Sequence, residues 1–200
     1  MINKFKNMKN YILYLVLILA CVNVNAQSYK LPEKMINSED SLEPLTEEEI
    51  SEIQGKVDEF YHKMQKQYSD YDEMAKKYYV EFRTDTFAIE IIENLRSSKR
   101  IPELEYRVIV SDVNAAYDVL LNKYYKLLRA NLNEEKQEML KQSQLNWLKF
   151  KASELKLCGD LFIEDGSIGD IKATYYDTEL IKARTIRLFE YLVEISAYID

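Results

Sequence analysis

The chain is predicted to be all-α: a bundle of about four to six helices, led by a long N-terminal helix or helical hairpin. Three observations carry this. Only 4 Gly and 3 Pro occur in 200 residues, too few for the tight turns of a β architecture. Apolar residues recur at helical steps through most of the chain. Capping signals stand at the heads of several periodic stretches. Hydrophobic residues make up 47% and charged residues 30%, so a substantial core is available. The 16 tyrosines suit thin helical packing, with rings in the core and hydroxyls at its rim.

Residues 1–26 read as a secretory leader. Lys4, Lys6 and Lys9 form a basic start, "YILYLVLILACV" (11–22) an apolar run, and "VNA" (24–26) a small-residue cleavage site before Gln27. The run is too short for a membrane span, and no later stretch is apolar enough for one. The chain is therefore expected to be exported, periplasmic or secreted. The alternative is an outer-membrane lipoprotein, because "ILAC" (18–21) resembles a lipoprotein box with Cys21 as the lipidated residue. Cleavage after Ala26 lowers Lys+Arg from 27 to 24 against 34 Asp+Glu, moving the net charge from −7 to −10. Such a field excludes nucleic acid and attracts a cationic protein partner. One cysteine remains, Cys158, expected to be a buried thiol.

Residues 27–45 are polar, contain Pro32 and Pro44, and read as a tether. Residues 46–100 read as an N-terminal helical extension and 101–200 as the main helical domain. "TEEE" (46–49) is a capping box, in which the Thr46 hydroxyl caps a late amide while Glu49 reaches back. Apolar side chains then recur from Ile50, Ile53 and Val57 through Phe60 and Met64 to Phe82, in steps of three and four. That predicts one long helix or two collinear ones, with "SDYD" (69–72) as a break, and a face at 50–82 open to self-association. Lone His62 is expected at the surface, since no second His exists to share a metal.

A new helix is expected from a Thr84 or Asp85 cap, ending in a basic turn before Ile101. Pro102 suits the first slot of the next helix, striped by Val113, Tyr117, Leu120, Tyr124 and Leu127 and running to about Leu132. Asn131–Asn133 form a turn, and Asn133 caps the helix of Trp147. Residues 158–177 hold Gly159, Gly166 and Gly169 and read as a long irregular loop. Thr178 is expected to cap a last helix striped by Ile181, Leu188 and Leu192.

On the Trp147 helix, an apolar arc of Leu140, Trp147, Leu148, Phe150, Ala152, Leu155 and Cys158 also contains Gln144, Lys151 and Glu154. Charges on a buried face must be paired. The expectation is a polar clasp of Gln144, Lys151, Glu154 and Arg184, with Asp118 or Asn122 contributing and Trp147 sealing it from water. Lys151 and Glu154 are three apart and can pair directly.

"AAYDVLLNKYYKLL", "LKQSQLNWLKFKASE" and "KARTIRLFEYL" together resemble the bacterial family that contains the N-terminal domain of the lysozyme inhibitor LprI. The matching positions are Asp118, Leu121, Asn122 and Tyr125, then Gln144, Trp147, Phe150 and Glu154, then Arg184 and Leu188, within about residues 112–193. Lys151 stands where the family usually has Arg, and the family's paired cysteines are not both present. The resemblance implies an exported, helical, non-enzymatic protein and points to lysozyme inhibition.

The residues agree with a non-enzyme. One His and one remaining Cys exclude the usual nucleophile dyads apart from a His62–Cys158 pair. Metal-ligand clusters, Gly-rich phosphate loops and G-x-S-x-G are absent from the sequence, so no cofactor or metal is expected. The candidate binding loop is 159–177. Asp160, Glu164, Asp165 and Asp170 surround the apolar anchors Phe162 and Tyr175. Such a loop is suited to a basic cleft like that of a lysozyme-like hydrolase. The competing expectation is an envelope scaffold or interaction module without inhibitory activity.

Overall fold

The computed structural model describes residues 28–37, 42–99 and 102–196. The leader and Cys21 lie outside the described residues. Among these the secondary structure is helical, with no strand: α1 (Glu33–Ile36), α2 (Glu47–Gln67), α3 (Glu73–Ser98), α4 (Glu103–Ala130), α5 (Glu134–Phe162) and α6 (Ser167–Ser196), with a 3₁₀ turn at Ile163–Asp165 between the last two. The chain divides into a unit at Met1–Lys30 and one at Leu31–Asp200; the six helices of the described residues belong to the second.

Residues 50–82 do not form one long or collinear seam. The predicted break at 69–72 turns the chain back, and α2 and α3 make a hairpin. The Thr46 hydroxyl accepts from the Glu49 amide at 3.1 Å while the Glu49 carboxylate accepts from the Thr46 amide at 2.9 Å, so the capping box forms as expected. The cap of α3 is Asp72, whose carboxylate accepts from the Met74 and Ala75 amides. Ile53, Val57 and Met64 are buried, and Phe60 stacks on Phe87 with centroids 4.1 Å apart. The part of the self-association face at Ile53, Val57 and Met64 is therefore closed within the hairpin, while Tyr71 at its turn stays half-exposed. Thr84 and Asp85 cap nothing, because α3 runs unbroken through them. Buried Thr84 donates to the Val80 carbonyl, and Asp85 accepts from Lys123 and Tyr124 of α4 at 2.7 and 2.9 Å.

Helix α6 occupies the centre. It packs most extensively on α4, then on α5 and α3, whereas α2 rests on α3 and α5 on α6. Three pairs fix α4 and α6 as parallel: Glu103 with Ser167, Asn114 with Thr178, and Tyr124 with Phe189. The core aromatic cluster sits where α3 meets them, with Phe82 stacked on Phe189 at 3.9 Å and edge-on to Tyr124 at 5.2 Å. Asn133 caps α5 by accepting from the Lys136 amide. Cys158 is a buried free thiol, and His62 is exposed.

Of the stretch read as a tether, the described parts at 31–37 and 42–45 each put a side chain into the core. Met35 is fully buried and Leu45 nearly so, and α1 packs on α4 and α3. Buried Arg96 donates to the Met35 carbonyl at 2.9 Å. A guanidinium out of water needs such an acceptor, so the strap and Arg96 require each other.

Candidate functional site: the α5–α6 corner

The expected loop at 158–177 is a tight corner. α5 continues to Phe162, the 3₁₀ turn follows, and α6 is under way at Ser167. Two glycines permit this. Gly166 reverses the chain at φ 58°, a left-handed conformation that suits a residue without Cβ. At Gly169 a Cβ would collide with the Phe162 carbonyl oxygen, so the two helices approach closely only with glycine there. Thr178 is not a cap. It lies buried inside α6 and donates to the Thr174 carbonyl.

Polar pairs align α5 against α6. Arg184 donates from Nε to Gln144 Oε1 and from its terminal nitrogen to Ser143 Oγ, both at 3.0 Å. Burial draws the Arg184 pKa down while Tyr191 and Tyr125 oppose this. Lys151 meets Asp177 at 2.7 Å, and its ammonium lies 5.9 Å from the centre of the Trp147 ring. The expected clasp is corrected in three places. Glu154 is exposed, so it is not the partner of Lys151. Asp118 and Asn122 are exposed on α4 and bond each other, away from the α5–α6 seam. Trp147 is half-buried and does not close over the set. The apolar arc is also narrower than expected. Leu140 and Cys158 are buried, but Leu148 and Phe150 are half-exposed and Ala152 is exposed. Asp177 was invisible to single-helix spacing, because it comes from the partner helix inside the supposed loop.

At the tip, the corner is apolar. Leu161 is 67% and Ile163 75% exposed, and Ile168 and Tyr175 are half-exposed beside them in sequence. The four acids divide into two kinds. Asp165 is held by Lys172 at 2.7 Å and Asp170 by Arg107 at 3.7 Å, whereas Asp160 and Glu164 are simply exposed. Phe162 is half-buried, with the Lys172 ammonium 4.8 Å from its ring centre. Sequence reading found these acids and aromatics but missed Leu161, Ile163 and Ile168. Their placement follows from helix register through the corner, which a loop reading discards. Chemically, the tip offers large apolar side chains in water with free carboxylates around them, the composition of a docking surface.

Among the described residues no helix is long and apolar enough to cross a membrane. No curated protein and no solved structure matches the chain. A family model does. The one described as lysozyme inhibitor LprI matches residues 96–188, from the end of α3 to within α6, taking in the first two motif blocks, the corner, and Arg184 and Leu188 of the third block. Over that stretch the chain is similar to the LprI lysozyme-inhibitor family.

Proposed function

We propose that the protein is exported and inhibits a lysozyme-like cell-wall hydrolase by presenting the α5–α6 corner to it. The observation that carries this is the exposed apolar tip at Leu161, Ile163 and Ile168, flanked by the exposed carboxylates of Asp160 and Glu164. The LprI match supports the same reading. The net charge of −10 left by cleavage after Ala26 draws in a cationic enzyme, and the rim acids orient it. The tip residues are then desolvated on the partner, which is where binding energy concentrates. Inhibition in this scheme is steric occlusion and asks no chemistry of the chain.

The test is clearing of a cell-wall suspension by lysozyme with the purified protein added. The expected result is inhibition at protein concentrations around micromolar, weakened about tenfold or more by Ile163→Ser with Leu161→Ser. No inhibition at that concentration removes the reading for that enzyme. A second reading, an interaction module without inhibitory activity, is favoured by one observation: half-exposed Leu145, Leu148 and Phe150 extend along α5 well away from the corner. Enzyme captured by the protein but fully active would select it.

A further inference from the structure

Beside the tip, a cleft of about 350 Å³ opens between the first turns of α4 and α6. Tyr106 and Val110 of α4, Phe162 at the end of α5, and Ile171, Tyr175 and Tyr176 of α6 line it. Three of these are tyrosines that remain 42% (Tyr106), 53% (Tyr175) and 49% (Tyr176) exposed. A single half-exposed ring is ordinary; three converging from two helices on one cleft form a recognition surface. The rings are ordered against one another. Phe162 and Tyr176 are parallel within 3° at 6.0 Å, and Tyr175 stands edge-on to Tyr176 at 6.2 Å.

The charge at the cleft sets the class of ligand. Its one cation, Lys172, is already matched by Asp165 at 2.7 Å and lies against the Phe162 ring. An anion gains little from an ammonium so compensated, and a cation meets an ammonium first. The surroundings therefore suit a neutral molecule with a flat apolar face for the rings and hydroxyls at its edge for the tyrosine O–H groups. A pyranose has both. The aliphatic side of the cleft, Val110 and Ile171, matches one further group, a methyl carried on the sugar through an uncharged linkage. We infer that this cleft binds an N-acetylated amino sugar, one or two rings of a β-linked glycan.

The inference goes beyond inhibition and stands without it, since no hydrolase takes part in its test. The probe is the trimer of β-1,4-linked N-acetylglucosamine, titrated into the purified protein and followed by calorimetry and by aromatic carbon–proton NMR. Saturable binding is expected with Kd on the order of 0.1–1 mM, fitting a small open site. Tyr175→Ala and Tyr106→Ala each weaken it about tenfold or more, while Tyr175→Phe, which keeps the ring, stays within about threefold. Tyr71→Ala, on the distant α2–α3 turn, changes nothing. The corresponding glucose trimer, with hydroxyls in place of acetamido groups, binds about tenfold more weakly. No saturation by about 10 mM trimer overturns the site, as does binding that both alanine variants leave intact. Equal affinity for the glucose trimer overturns the acetamido assignment. Melting curves confirm that each variant is folded.

Discussion

The protein contains two helix pairs of the same plan, and they spend their apolar residues in opposite ways. In the α2–α3 hairpin the outer helix turns its apolar stripe inward: Ile53, Val57 and Met64 are buried, and Phe60 stacks on Phe87. In the α5–α6 pair the outer helix is held through polar groups, Gln144 and Ser143 on Arg184 and Lys151 on Asp177. Only Leu140 and Cys158 of α5 are buried, while Met139, Phe150, Leu157 and Leu161 are exposed. Burial of a large aliphatic side chain contributes about 1.5–3 kcal/mol, so α2 gives that stabilisation to its own fold. α5 keeps it in reserve. An outer helix with a polar inner seam and an apolar outer surface suits a partner, and this asymmetry supports the docking surface proposed at the C-terminal pair.

The sharpest way to break the comparison is one polar substitution in each outer helix. Val57→Asp puts a carboxylate at a fully buried position with no cation arranged for it, and is expected to cost about 4 kcal/mol or more, enough to unfold the hairpin. Phe150→Ser removes a far larger side chain, yet Phe150 is half-exposed and Ser has similar helix propensity, so stability should stay within about 0.5 kcal/mol. Urea unfolding of both variants reads the difference. Similar losses would mean that α5 is held by its apolar residues after all.

Next in size is the polar seam. Asp177→Ala strands the Lys151 ammonium at a site only 21% exposed and removes an acceptor of the Asn114 amide. The expected loss is about 2 kcal/mol, below that of a fully buried pair because the two side chains stay 21% and 19% exposed. Glu154→Ala, at an exposed position, should be neutral within about 0.5 kcal/mol. A reversed order in thermal unfolding would restore Glu154 to the clasp and remove Asp177 from it.

How far the sequence disclosed this contrast depends on the range over which each feature is decided. The capping box at Thr46 and the Asn133 cap involve side chains three residues apart, and both were legible. The breadth of the helical class was legible too, because periodicity persists over long stretches. Whether residues 50–82 continued straight or folded back depended on Asp72 capping a second helix, and a long seam fits either outcome equally well. The α1 strap escaped notice because its anchor is the single residue Met35, and one buried side chain has no period. At 158–177 the three glycines read as flexibility, whereas two of them serve a fixed turn and a close approach. The Arg184–Gln144 pair was reachable from stripe edges on two helices. The Lys151–Asp177 pair was not, since it needed the correct start of α6.

The glycines give the smallest test and separate the two pairs most cleanly, because one substitution should change sign between them. Gly55 lies inside α2, and an added Cβ there meets nothing within 4 Å. Gly55→Ala therefore removes only the backbone entropy and solvation penalty of glycine in a helix, and should stabilise by about 0.5–1 kcal/mol. At Gly169 the same methyl runs into the Phe162 carbonyl. That atom is backbone at the last residue of α5, so it cannot swing aside as a side chain would, and α5 must move off α6. The expected cost is about 1–2 kcal/mol. Because Phe162 and Tyr176 stack across this junction, the shift should also perturb the tyrosine near-ultraviolet dichroism, which Gly55→Ala leaves alone. If Gly169→Ala proved as benign as Gly55→Ala on both measures, the corner would be a loose connection, and its apolar tip would lose the rigid footing that a docking surface needs.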